Sequence, residues 1–173
     1  MTARFKSRPV GRVVAGVIAL TTSLCLAATA FGLPPFTTAP KTATGSGGQA
    51  ELFAIATGCH PTFDRFVVRA RSATPGYSVR YVSKVVADGS GKTVQLLGTK
   101  RIHVVVRDAR AHTSGGGALL PGALTPLCSN LRQAKLAGDF EGVVSFGLGL
   151  RRKTGFRVFR LSAPTRIVVD VLH

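Results

Sequence analysis

Residues 140–150 read F-E-G-V-V-S-F-G-L-G-L. Stepping by two puts Phe140, Val144, Phe146, Leu148 and Leu150 on one face, and Glu141, Val143, Ser145, Gly147 and Gly149 on the other. A period of two marks a β-strand packed on one side. The second face carries almost no side chains, so another surface is expected to approach it closely.

The same period recurs along the chain. Ile102, Val104 and Val106 form one apolar face while Arg101, His103 and Arg107 form its reverse; Ile167, Val169 and Val171 form another. Phe66, Val68 and Ala70, then Tyr77, Val79 and Tyr81, repeat the pattern. Turn signals separate these runs: Thr74-Pro75-Gly76, Asp88-Gly89, Lys153-Thr154-Gly155 and Ala163-Pro164. Ser129–Leu136 is the best helical candidate, and it reads equally well as a strand. Ala111–Pro126 reads as a long, flexible loop. Short strands at turn-separated spacing predict an all-β fold, a compact antiparallel β-sandwich with Greek-key-like connections.

The sandwich is expected over residues 51–173. Before it, Arg4, Lys6, Arg8 and Arg12 precede the uncharged apolar run Val13–Leu26, and Ala28-Thr29-Ala30 offers a cleavage site. That layout predicts a secretory signal over residues 1–30, with an uncleaved N-terminal anchor as the alternative. Residues 31–50, rich in Pro, Thr, Ser, Gly and Ala, read as a flexible linker. Removing the signal removes Cys25 and leaves Cys59 and Cys128. In an oxidising compartment this pair is expected to form a disulfide rather than two buried thiols. On a chain-entropy basis, closing that loop stabilises the fold by roughly 4 kcal/mol.

G-S-G-K-T at 89–93 ends like a phosphate-binding P-loop. A P-loop requires glycine where Val86 stands, and a helix after the lysine where T-V-Q-L-L-G leaves no room for one. The stretch reads as a hairpin turn. His60, His103, His112 and His173 lack zinc-site spacing, and no G-x-S-x-G occurs. Asp139 and Glu141, two apart, are the pair to weigh for acid–base work; the alternative is a turn and an ion pair. Asp64 falls on an apolar face and Asp170 interrupts an apolar strand, so each needs hydrogen-bond or ion-pair partners. The expectation is a non-enzyme without metal or cofactor.

Four of the 23 Lys and Arg lie in the leader, leaving 19 against all seven acids. A field of that sign draws polyanions. Basic residues are not interleaved with exposed aromatics in an RNA-binding motif, so nucleic acid is not the expected partner. Arg65, Arg151 and Arg152 are the expected anion contacts, Tyr77 an expected sugar platform, and Glu141 a polar contact.

The stretches G-C-H-P-T-F-D-R-F-V-V (58–68), P-G-Y-S-V-R-Y-V (75–82), G-D-F-E-G-V-V-S-F-G-L-G-L (138–150), F-R-V-F-R-L (156–161) and P-T-R-I-V-V-D-V (164–171) run in order through the domain. Together they resemble the AMIN-like domains of exported actinobacterial proteins, and R-I-V-V-D-V is similar to the end of AMIN domains. That resemblance implies a small β-sandwich that localises proteins to peptidoglycan without catalysis. The expected location is secreted or in the cell envelope, and the expected partner is wall glycan or an anionic wall polymer. Membrane contact is expected only through an uncleaved N-terminal segment. The alternative is an envelope-assembly factor that receives a partner protein on the bare Gly147/Gly149 face.

Overall fold

The computed structural model describes Met1 and residues 32–173, so the predicted signal and Cys25 lie outside the described residues that follow. The strands are β1 (Lys41–Ala43), β2 (Ala50–Cys59), β3 (Phe63–Arg71), β4 (Gly76–Val82), β5 (Val85–Val86) and β6 (Thr93–Val94). Next come β7 (Lys100–Arg107), β8 (Ala109–Arg110), β9 (Ala123–Leu124) and β10 (Leu131–Phe140). The last three are β11 (Val143–Leu150), β12 (Phe156–Leu161) and β13 (Thr165–Leu172). Among the described residues there is no helix.

Two sheets form the sandwich. One has the order β1-β4-β7-β11-β10-β9, the other β12-β13-β3-β2-β8. All pairings are antiparallel except β2 with β8. The inward faces read from the sequence fill the core: Phe66, Val68, Val79, Ile102, Val104, Val106, Ile167, Val169 and Val171 are buried. Phe66 and Phe146 meet between the sheets edge to face, with ring centroids 5.4 Å apart, a geometry that adds about 1 kcal/mol to simple burial. The segment that read as helix or strand is β10.

Phe140 does not share the buried face of β11. Phe140 pairs with Val143 across a two-residue turn, Glu141–Gly142, with φ of 47° and 76°. Positive φ at both positions suits the right-handed twist of the flanking strands, and glycine meets the second at no steric cost. The chain reverses there, leaving Phe140 exposed at the end of β10.

Residues 32–50 are not a free linker. Thr37 forms a bridge with Phe156, β1 pairs with the first half of β4, and Ser46 bridges to Thr74. Sheet edges supply the hydrogen bonds that the segment's composition cannot supply from a core of its own. The long 111–126 connection is likewise tied down, by β9, by a His112–Ala118 bridge and by buried Leu120.

The bare face of β11 is filled from within. Residues 85–94 form the β5–β6 hairpin with the G-S-G-K-T turn at its tip, where Ala87 N–H donates to the Lys92 carbonyl at 2.8 Å. Val85, Leu96 and Ala137 make a small second core on this outer side. A Cβ on Gly147 would come within 2.7 Å of Leu96 Cδ1, and one on Gly149 would overlap the Leu97 carbonyl oxygen. The chain itself therefore occupies the face that offered room for a partner.

His103 lies under this cover, its Nε2 buried without a hydrogen-bond partner. Burial lowers its pKa; Asp88 draws it upward and Arg80 presses it further down. Asp88 also accepts a hydrogen bond from buried Ser145 Oγ.

Two outcomes are expected. Gly149→Ala should lower stability by about 1–3 kcal/mol in urea unfolding, because the Leu97 backbone must move. In the second, the unfolded chain binds a proton at His103 before the folded one does. Its contribution is then complete above about pH 6.5 and declines as pH falls below that value. Urea midpoints measured down that range should fall less steeply in His103→Gln than in the parent.

Candidate functional site

At one end of the sandwich a buried carboxylate gathers the chain. Asp64, fully buried, accepts hydrogen bonds from the backbone N–H of Asn130 at 2.6 Å and of Leu131 at 2.8 Å, both to Oδ2. The Asn130 side chain then reaches outward. Its Nδ2 donates to Thr154 Oγ1 at 3.0 Å and to the Leu172 carbonyl at 2.8 Å, while its Oδ1 accepts from Arg152 N–H at 3.0 Å. Its backbone carbonyl accepts from Arg151 N–H at 2.9 Å. Tyr81 closes the network: its hydroxyl donates to the Thr154 carbonyl at 2.8 Å and accepts from Thr154 N–H at 3.1 Å. Burial of that hydroxyl raises its pKa.

The Cys59–Cys128 disulfide, with Cα atoms 5.2 Å apart, ties the strand preceding Asp64 to the segment preceding Asn130. Cys59, Cys128 and Asp64 also lie close enough to resemble a metal cluster. Bonded to each other, the two sulfurs have no thiolate to offer an ion.

This network fixes the loop from Arg151 to Thr154 against the start of β7. Lys100 pairs with Leu150 and Arg101 with Val82; Thr99 Oγ1 donates to the Arg151 carbonyl at 2.6 Å. A cavity of about 410 Å³ opens there, lined by Tyr81, Val82, Ser83, Thr99, Lys100, Arg101 and Lys153. Lys153 Nζ stands 5.4 Å from the Tyr81 ring centroid. Arg151 and Arg152 flank the cavity on the same loop, both exposed. Among the described residues, none of these five cations is paired with a carboxylate. Five positive groups from two segments thus converge on one end.

The anticipated contacts divide between locations. Arg151 and Arg152 belong to this end. Glu141 lies beyond the other end of β11, roughly 30 Å from Arg151, and Tyr77 lies four residues along β4 from Tyr81, roughly 13 Å away. Tyr77 is buried rather than displayed: it is 7% exposed, its ring carries Arg160 at 5.1 Å, and burial raises its pKa. It borders a second cavity of about 550 Å³ with Thr42, Thr44, Arg107 and Asp108, where one cation is offset by one acid. Arg65 lies on the outer face of the other sheet. Its Nε donates to Asp170 Oδ1 at 2.6 Å and its Nη2 to Oδ2 at 2.9 Å. Arg157 also holds Asp170, at 2.8 Å, and stacks 4.4 Å from the Phe36 ring. Asp170 has the partners that its burial requires; Asp64 has them at Oδ2, while its Oδ1 is buried without a hydrogen bond, His173 Nε2 standing 3.8 Å away.

Asp139 holds the β8 segment to β10, its Oδ2 lying 3.0 Å from Ala111 N and 2.7 Å from His112 Nδ1. Glu141, exposed in the turn, does not line either cavity with it. Sequence reasoning named Arg151 and Arg152 but assigned Tyr81 to the core, read Lys153 as part of a turn, and passed over Lys100. The signal that joins them is strand register, which one sequence does not display.

Residues 50–173 match the AMIN-like domain family. No curated protein and no solved structure matches the chain.

Asp64→Ala should strand two buried amides and lower stability by about 2–4 kcal/mol. Asn130→Ala should speed hydrogen exchange at the Arg152 amide while leaving the β3–β13 ladder protected, read by mass spectrometry.

Proposed function

The chain belongs to the AMIN-like domain family, and from that premise we propose that it binds an anionic polymer of the cell wall through the basic end of its sandwich. AMIN-like domains are in general non-catalytic modules associated with peptidoglycan. The disulfide and the family suggest an extracytoplasmic location, where wall polymers are the abundant polyanions.

One observation carries the reading: unpaired cations converge on a loop that is already hydrogen-bonded into place. A loop whose backbone is already held binds an anion without first losing loop freedom, so more of the attraction appears as affinity. The remaining acids sharpen the asymmetry. Asp108 and Glu141 lie in the turns at the opposite end, away from the Arg151 loop.

Wall polymer of either kind, carboxylate or phosphate, fits this description, and arginine engages both through paired N–H donors. Purified insoluble wall should retain the protein at low salt and release it as salt screens the charges. Arg151→Glu/Arg152→Glu should lose most of that retention with an unchanged unfolding midpoint. Equal retention of parent and variant would remove the basic end from the reading.

A further inference from the structure

We infer that the occupant of the basic end is a flexible phosphodiester polymer of neutral polyol units, and not a glycan strand or a nucleic acid. This rests on the reading of the basic end as a polyanion site and narrows its ligand class.

The lining of the cavity selects by what it lacks as well as by what it holds. A sugar ring is recognised by an exposed aromatic face and by side chains that accept from its hydroxyls. Here the single ring is Tyr81, which is half-buried, has Lys153 beside it, and spends its hydroxyl on both sides of Thr154. The Thr99 hydroxyl gives its one proton to the Arg151 carbonyl, which leaves it and Ser83 as the small hydroxyl acceptors of the lining. No Asn, Gln, Asp or Glu lines the cavity. The glycan has little to hold. A nucleic acid base meets the same difficulty, since single-strand binders rely on open aromatic platforms for stacking.

Charge remains. Lys100, Arg101 and Lys153 line the cavity and Arg151 and Arg152 continue beyond it, a run of cations rather than one pocket for one anion. Peptidoglycan stems scatter their carboxylates and offset them with amines, so few reach such a run together. A polyol phosphodiester carries one negative charge in every repeat, and its free torsions let consecutive phosphates settle on consecutive cations. Arginine pairs with phosphate oxygens through two N–H groups, and lysine acts as a point charge.

The test is calorimetric titration of the full chain with four probes matched in charge where they carry any: a poly(glycerol phosphate) oligomer, polyglutamate, single-stranded DNA and uncharged glycan strands. The phosphodiester should bind at least about tenfold tighter than polyglutamate or DNA, a difference well within reach of a few oriented contacts. Its affinity should fall with salt at a logarithmic slope of roughly −2 to −4, reporting three to five neutralised phosphates. Lys100→Gln/Arg101→Gln/Lys153→Gln should lose more than about tenfold, whereas Lys92→Gln, at the far hairpin tip, should lose nothing. Polyglutamate binding as tightly as the phosphodiester would overturn the phosphate class while leaving polyanion binding intact. Tighter DNA or glycan binding would overturn it in favour of those ligands. Binding of none of the four would overturn the basic-end reading as well.

Discussion

A single buried carboxylate, that of Asp64, sets the order of one end of this molecule. It sits beneath the chain where β10 begins and takes the two amide protons of Asn130 and Leu131. A buried carboxylate without such donors is costly, and so are buried amides without an acceptor. Each requirement answers the other, and the exchange fixes Asn130. From Asn130 the constraint passes to Arg151, Arg152, Thr154 and Leu172, and through Thr154 to Tyr81. The disulfide keeps the two chain segments that supply these groups in register. The loop that carries Arg151 and Arg152 is thus the outer layer of a polar network whose centre is buried.

The distribution of acids follows the same logic. Glu51 is shared by Arg71 and Arg110, Asp170 by Arg65 and Arg157, Asp139 holds the Ala111 amide and the His112 ring, and Asp88 receives Ser145. With Asp64, these acids serve the fold. They leave the cations of the Arg151 loop and the β7 start without counter-charges, although they do neutralise Arg65. Net charge alone says that the chain attracts polyanions; strand register gathers five of its cations at one end.

The strand faces were legible because burial on one side of a sheet writes itself as alternation. Ile102, Val104 and Val106, or Ile167, Val169 and Val171, have no other reason to alternate. The G-S-G-K-T turn was legible from what a P-loop lacks here. The strap over residues 32–50 was not, since three-residue β1 is too short to show a period and borrows its stability from the edge of β4. Phe140 was misplaced because a two-residue turn keeps the parity of the pattern while reversing the chain. The site was half legible. Arg151 and Arg152 stand out as a run, but their neighbours Lys100 and Tyr81 are distant in sequence and are brought near by strand register. Tyr77 shares an apolar face with Val79 and is buried with it, whereas Arg65 looked available because alternation reports a face and not what covers it. Arg160 covers the one and Asp170 holds the other.

The central claim is that the Asp64–Asn130 network presents a fixed set of cations to a polyanion. Backbone amide shifts followed by NMR during titration with a poly(glycerol phosphate) oligomer address it most directly. The account predicts that shifts concentrate at residues 99–101 and 151–154, with little change at Tyr77, Glu141 or the β5–β6 hairpin tip. Shifts centred on the Arg65–Asp170 face or on the Tyr77 cavity, or none at saturating oligomer, would contradict it.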